Sequence, residues 1–159
     1  MNEKEKLLET LAQQEEELWF GTFTNEDALT LGMLLITRAK EAGHAVTIDI
    51  TRGGQQLFHL ALEGTGPDND QWIIRKNRVV YRFHKSSFRV GRILDAAGMT
   101  LEEKYYVDST QFSAHGGAFP VRVKGVGVVG TVTVSGLAQE DDHEFVVATL
   151  RNFLGSRAS

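Results

Sequence analysis

The stretch from 115 to 154 constrains the fold more than any other part of the sequence. Its first half contains two runs, 119–123 and 128–135, in which apolar residues alternate with polar or small ones. Alternation with period two is typical of strands that place one face against a core. Lys124 and Gly125 separate the runs, and glycine accepts the positive φ that tight hairpin turns require. The sequence therefore predicts an antiparallel hairpin.

The apolar period changes to that of a helix directly after this hairpin. His143, Val147, Leu150 and Leu154 fall on one helical stripe. A stripe of this kind packs against a core, so the sequence predicts that an amphipathic helix covers the hairpin.

Polar residues flank the two predicted strands at one end. The segment 115–117 (His-Gly-Gly) precedes the first strand, and 135–136 (Ser-Gly) ends the second. In an antiparallel pair the start of one strand lies beside the end of the other, so both groups meet at one edge of the sheet. The next helix begins there, and helix N-termini favour anionic groups. We expect His115 and His143 to face one cleft at this edge.

Two helices are predicted at the start of the chain. The first runs from about Lys4 to Trp19 and could pack on its own domain or on another subunit. Its solvated face is expected to carry Gln13, Gln14, Glu16 and Glu17. The second begins after Thr24, whose hydroxyl can form a capping box with Asp27. Its expected buried residues are Ala28, Leu31, Leu35 and Ala39, with Gly43 as its C-terminal stop.

A second hairpin and a long helix are predicted for the middle of the chain. The hairpin pairs 46–51 with 55–62 across a glycine turn. The helix runs from Trp72 to about Leu94 after a cap at Asn69 or Asp70, although 86–87 (Ser-Ser) could equally separate two helices. Residues 105–107 are expected to be a short extended segment.

Several segments resemble the haem-degrading domain family (GlcG/HbpS-like), in a largely uncharacterised branch of it. They are GGAFPVRV, GVVGTVTVSGL, DDHEFVV, FTNEDALTLG, VTIDITRGGQQLFH and WIIRKNRVVYRFHKSSFRVG. The resemblance covers nearly the whole chain after the first helix. It implies an α/β fold of the profilin-like α/β/α sandwich type, with a central antiparallel sheet of about five strands. It also implies homo-oligomers, commonly rings, and haem or another tetrapyrrole as the first candidate ligand.

Length and composition limit the alternatives. A chain of 159 residues is expected to form a single domain, 1–159, with 1–20 as a helix available for assembly. The net charge of −4 and the dispersed basic residues argue against nucleic acid as a partner. The densest basic stretch, 75–92, is interpreted as the solvent side of a helix. The absence of cysteine, of a secretion signal and of a long apolar run predicts a cytoplasmic protein with no membrane partner.

The candidate ligand-binding residues are His115, Gly116, Gly117, Phe119, Pro120, His143, Lys76, Trp72 and Tyr106. His115 could ligate a metal or belong to an ordinary glycine-rich loop. His143 is expected to be neutral, and could ligate or simply pack in the core beside Asp141 or Asp142. Lys76 would suit an anionic group such as a haem propionate, or could snorkel to solvent. The aromatic residues could line a flat pocket or form core.

No established catalytic or metal-binding motif is present in the sequence, so no catalytic residue and no metal site are assigned. If haem binds, His115 is expected to be its axial ligand, with His143 supporting it. The predicted function is a homo-oligomeric small-ligand-binding domain. Its rivals are an interaction scaffold without a small ligand and a haem-degrading enzyme, and a titration with haemin separates the three.

Overall fold

The structure is a computed structural model and describes residues 1–157. Its elements, in chain order, are α1 (Glu3–Glu17), β1 (Trp19–Phe20), α2 (Asn25–Ala42), β2 (Thr47–Arg52), β3 (Gln55–Ala61), α3 (Pro67–Phe83), α4 (Ser87–Ala97), α5 (Leu101–Tyr105), β4 (Ala118–Val123), β5 (Gly127–Ser135) and α6 (Gln139–Arg157). Within these residues, no helix combines the length and the apolar character needed to cross a bilayer.

The five strands form one sheet in the order β1-β4-β5-β2-β3. Both predicted hairpins are present, and β5 joins them by pairing with β2 in antiparallel register. The short edge strand β1 was not predicted and runs parallel to β4. The predicted five-stranded α/β/α architecture is therefore confirmed, with a sheet that is antiparallel except at this edge.

One face of the sheet is apolar and carries α2 and α6. The expected stripe of α2 (Ala28, Leu31, Leu35 and Ala39) is completely buried against it. Thr24 and Asp27 form the predicted capping box, and Gly43 ends α2 in the left-handed conformation at φ 71°. Alternate residues of β2, β4 and β5 complete this core. The period-two pattern thus identified the correct inner face.

The opposite face of the sheet is polar, although α3 covers it. Its buried side chains are Thr47, Asp49, Thr51, Thr131, Thr133 and Ser135. The Asp49 carboxylate accepts hydrogen bonds from Gln56 Nε2 at 2.8 Å and from Asn77 Nδ2 at 3.1 Å. Asn77 lies on α3 and accepts in turn from Thr133 Oγ1. Because buried polar groups are tolerated only when they are bonded, this network compensates for the missing apolar contacts.

The predicted helix from Trp72 to Leu94 is two helices. Gly66 is the N-cap and Pro67 begins α3, so the predicted cap at Asn69 or Asp70 was wrong. His84 ends α3 at φ 55°, and the Ser86 side chain caps α4 by accepting from Arg89 N. The break therefore lies at the serines, which was the alternative left open by the sequence.

Residues 105–107 are not extended. A capping box between Thr100 and Glu103 starts the short helix α5, and Tyr106 ends it at φ 58°. Tyr106 is 90% exposed. Local capping signals therefore outweighed the aromatic β-propensity of this segment.

The helix α1 packs on α4 of the same chain. Gln14 was expected in solvent, yet Gln14 and its neighbour Glu15 are only 4% and 2% exposed. The Glu15 carboxylate accepts from Ser86 N at 3.1 Å and from Arg89 Nη1 at 3.0 Å. Burial raises the pKa of Glu15, and these donors oppose the rise. This polar side of α1 therefore packs inward, because α4 supplies hydrogen-bond partners for it.

Gly130 occupies a position in β5 where the neighbouring backbone leaves no room for a side chain. A Cβ at this position would collide with the carbonyl oxygen of Thr51 and lie 3.0 Å from Cα of Arg52. The crowding therefore comes from β2, and not from a helix or an aromatic ring.

We expect Gly130→Val to lower the free energy of unfolding by about 1–3 kcal/mol, because a backbone cannot yield as a flexible side chain can. Denaturant unfolding measures this change. The matched control is Gly21→Val, since no atom lies within 4 Å of a Cβ built there. Equal midpoints for the Gly130→Val variant and the unmodified protein would contradict the assignment.

Candidate functional site

Two adjoining cavities open near the end of the sheet where β4 begins and β5 ends. The larger cavity has a volume of about 540 Å³ and lies between α3, α4, α5 and the loop before β4. The smaller cavity, of about 230 Å³, lies between α3, the end of β5 and the start of α6. Trp72, His115 and Gln139 line both. The predicted edge of the sheet therefore does carry a cleft.

His115 lies at the junction of the two cavities. Its ring packs against Trp72 with the ring centroids 5.2 Å apart. His115 is exposed as a residue, but partial burial of its ring lowers its pKa, and the charges of Lys76 and Arg75 lower it further. No residue between 1 and 157 hydrogen-bonds to its ring nitrogens. A neutral histidine in this position offers an unused lone pair to a ligand.

Two arginines give the larger cavity a cationic rim, which we define as Arg75 and Arg92. The guanidinium of Arg75 lies 4.3 Å from the ring centroid of Trp72, and that of Arg92 lies 5.3 Å from that of Phe88. Both arginines line the larger cavity together with Asp95 and Glu102, and Arg92 Nη1 lies 3.8 Å from Asp95 Oδ2. The interpretation of 75–92 as a simple solvent face was therefore wrong for these two residues.

The wall of the larger cavity opposite the rim is apolar. It includes Leu94, Met99, Leu101 and Phe112. Leu94 and Leu101 also belong to a small hydrophobic cluster beneath the cavity. An apolar wall with a few charged groups at its edge is typical of small-molecule sites.

Lys76 lines the smaller cavity, but its ammonium group is buried and paired. Its Nζ lies 3.4 Å from Asp142 Oδ2 and donates to the Val134 carbonyl at 3.2 Å. Lys76 is only 3% exposed, so it does not snorkel to solvent. Burial lowers the pKa of Lys76 and raises that of Asp142, and their mutual attraction opposes both shifts.

Gly116 and Gly117 do not line either cavity, but they allow the neighbouring segments of the chain to pack closely together. Gly116 N donates to Gln139 Oε1 at 3.0 Å. A Cβ at Gly117, whose φ is 137°, would collide with the Val134 carbonyl and lie 2.7 Å from Lys76 Nζ. Their predicted role as direct ligand contacts is thus replaced by close packing between β4, β5 and α3.

His143 lies in the core and lines neither cavity, so residues 1–157 do not bring it to the cleft that His115 lines. It is 1% exposed, and its ring centroid lies 5.0 Å from that of Phe88. Its Nε2 lies 2.7 Å from Gln14 Oε1, whereas Nδ1 has no partner among residues 1–157. Burial lowers the pKa of His143 from 6.5 to about 4, so the expectation of a neutral ring agrees with this direction.

Three other candidate residues also lie away from the cavities. Phe119 and Pro120 are buried in β4. Phe119 packs in the apolar core, with its ring centroid 6.1 Å from that of His143. Tyr106 points into solvent. Of the nine residues proposed from the sequence, the cavities bring together Trp72, Lys76 and His115.

A third cavity, of about 550 Å³, lies between α3 and β3. His59 spans it, with Nδ1 2.9 Å from Asp49 Oδ1 and Nε2 2.8 Å from Asp70 Oδ1. Both ring nitrogens are therefore occupied by protein atoms. Within residues 1–157, no group of three histidine or acidic side chains is arranged to hold a metal ion.

The fold and the cavities define an α/β sandwich protein with a histidine-bearing cleft at one end of its sheet. The chain belongs to the family described as "Haem degrading protein HbpS-like", whose model matches residues 23–151. A UPF0303 protein of Streptomyces coelicolor is 54% identical over 145 residues, which cover 91% of this chain and 92% of that protein.

Solved structures show the same fold. The Ybr137w protein superposes with a TM-score of 0.89 at 36% identity, covering 96% of this chain and 90% of that one. PduOC, solved as a haem complex, gives a TM-score of 0.66 at 15% identity, covering 80% of this chain and 94% of that one. The resemblance to the haem-degrading domain family that the sequence shows is therefore confirmed by the family model and by the Streptomyces coelicolor relative.

We expect His143 to make the protein less stable as the pH falls from 6.5 toward 4. Above pH 6.5 the His143 ring is neutral in both the folded and the unfolded chain. Below pH 6.5 the unfolded chain binds a proton at this ring, whereas burial keeps the ring of the folded chain neutral. With a folded pKa of about 4, the loss reaches about 3 kcal/mol near pH 4.

Urea unfolding across this pH range tests the effect. The variant His143→Gln should lose this part of the pH dependence, whereas His84→Asn, at an exposed helix end, should keep it. Parallel stability curves for His143→Gln and the unmodified protein would contradict the assignment.

Proposed function

We propose that the chain binds a flat, acidic small molecule in the larger cavity, with haem or a related tetrapyrrole as the first candidate. The observation that carries this proposal is His115. Its ring is unbonded within the described residues, its pKa is lowered, and it lies between the two cavities beside Trp72.

The residues around His115 fit such a ligand. A neutral histidine is a common axial ligand of haem iron. The cationic rim can pair with carboxylates, and guanidinium groups bind carboxylates with well-defined geometry. The apolar wall and Trp72 can contact a flat ring system. Bound haem would supply an iron centre, which His115 would hold and which the apolar wall would shield from water.

The comparisons support the same ligand class. The family takes its description from haem degradation, and PduOC was solved with haem. Neither identifies the ligand of this chain. The support therefore rests on the agreement between these relatives and the histidine, arginines and apolar wall.

Titration with haemin tests the proposal. We expect saturable binding with a shifted Soret band, and His115→Ala should weaken binding at least about tenfold, or about 1.4 kcal/mol, through loss of the axial ligand. The control His84→Asn should bind normally. Binding that is unchanged in His115→Ala, or absent from the unmodified protein, would contradict the proposal. Loss of the Soret band on addition of a reductant would indicate haem degradation as well.

We also propose that the protein assembles into homo-oligomers through an apolar patch, which we define as Leu29 and Met33 of α2 and Leu60 of β3. These side chains are 48%, 52% and 38% exposed. The helix α2 packs on β3, which is an edge strand of the sheet. Exposed apolar residues on an edge strand and on the helix that covers it favour a protein interface.

Light scattering tests the assembly. We expect a mass well above the single-chain value of 17.6 kDa, and Met33→Glu should lower it because a buried carboxylate would lack a partner. The control is Val126→Glu, at a hairpin turn where the side chain is 74% exposed. A single-chain mass at all concentrations would contradict the proposal.

A further inference from the structure

The smaller cavity is lined by an amine, that of Lys76, which the proposed haem site does not involve. Lys76 lines this cavity, and its Nζ is held by two long contacts, 3.2 Å to the Val134 carbonyl and 3.4 Å to Asp142. An ammonium group has three hydrogens, so these contacts leave one free. Lys76 and Asp142 are therefore both buried, and they lie side by side in the wall of a space that a small molecule can enter.

We propose that Lys76 is a nucleophilic amine that forms an imine with a small carbonyl compound in the smaller cavity, with Asp142 as its acid–base partner. This inference goes beyond the proposed function and does not depend on it. A buried lysine beside a carboxyl group is the arrangement that imine-forming lysines need, because only the uncharged amine attacks. Burial lowers the pKa of Lys76 and raises that of Asp142, and both shifts favour the pair in its uncharged form.

The reaction needs no further reagent. Lys76 gives a proton to Asp142, and its nitrogen then forms a bond to the carbonyl carbon. The carbonyl oxygen takes the proton from Asp142, and the nitrogen returns one to the carboxylate, which leaves a neutral carbinolamine. Asp142 then protonates the hydroxyl group, the C–O bond breaks, and water leaves. The product is a protonated imine paired with the Asp142 carboxylate, so the ion pair is restored.

The size and lining of the smaller cavity indicate the class of carbonyl compound. Its volume of about 230 Å³ holds about seven water-sized groups, which corresponds to a molecule of up to about four carbons. Asn69, Ser135 and Gln139 supply neutral hydrogen-bonding groups. A ligand carboxylate would meet the negative charge of Asp142, because the positive charge of Lys76 or of its protonated imine is already paired with Asp142. We therefore infer a short, uncharged, hydroxylated aldehyde or ketone.

Reductive trapping tests the inference on the full-length protein. Dihydroxyacetone with cyanoborohydride should convert the imine into a stable secondary amine, which peptide mass spectrometry locates. We expect one adduct per chain, on Lys76, formed about tenfold or more faster than on exposed lysines such as Lys124, because its amine is activated by burial. No haem is added, so the outcome is independent of the haemin titration.

Two variants complete the experiment. Lys76→Arg keeps a positive charge beside Asp142 but cannot form an imine, so the fast adduct should disappear; Lys124→Arg should leave it unchanged. Adducts confined to exposed lysines in the folded, unmodified protein would overturn the inference. This outcome is decisive even if Lys76→Arg does not fold, because the mapped position in the unmodified chain is sufficient.

Discussion

Hydrogen bonds between α3 and a polar sheet face hold the site together. The sheet face beneath α3 is polar. On an apolar face, the helix could shift its position at a small cost in free energy. Asn77 joins it to Asp49 and Thr133, and Tyr81 joins it to Thr51 at 2.6 Å. Such bonds contribute only about 1 kcal/mol each, but breaking one in a buried position costs more. Because they are directional, they fix the helix in one position. Trp72, Arg75 and Lys76 project from that helix, so the geometry of both cavities depends on this network.

The elements that were predicted correctly are those specified by local signals. Alternating apolar residues identified both hairpins, and the Thr24 capping box and Gly43 marked the ends of α2. The break in the long helix was recognisable at Ser86 because serine is a strong N-cap. The edge strand β1 could not be predicted, because two residues carry no period and its pairing depends on a distant strand. Likewise, the burial of Gln14 and Glu15 depends on partners in α4 and α6 that sequence spacing does not reveal.

The candidate site was predicted only in part for the same reason. Topology correctly placed His115 at one end of the sheet, since antiparallel pairing determines which strand ends meet. It did not determine side-chain direction. His143 lies near the start of α6, but its ring packs in the core beside Phe88 and Phe119. Arg75 and Arg92 were missed because a basic residue on a helix is usually solvated. The spacing of Trp72 and Arg75 was the available signal, since residues three apart on a helix are neighbours.

The contact between α1 and His143 has a consequence for how the protein is made. Gln14 and His143 are 129 positions apart in the chain, and α1 lies outside the segment 23–151 that the family model matches. During synthesis α1 therefore leaves the ribosome well before its partner in α6. Contacts this distant in sequence form late. Until α6 has been made, Gln14, which is buried in the finished fold, lacks this partner. The hydrogen bond that joins α1 to α6 is therefore one of the contacts that local folding cannot form early.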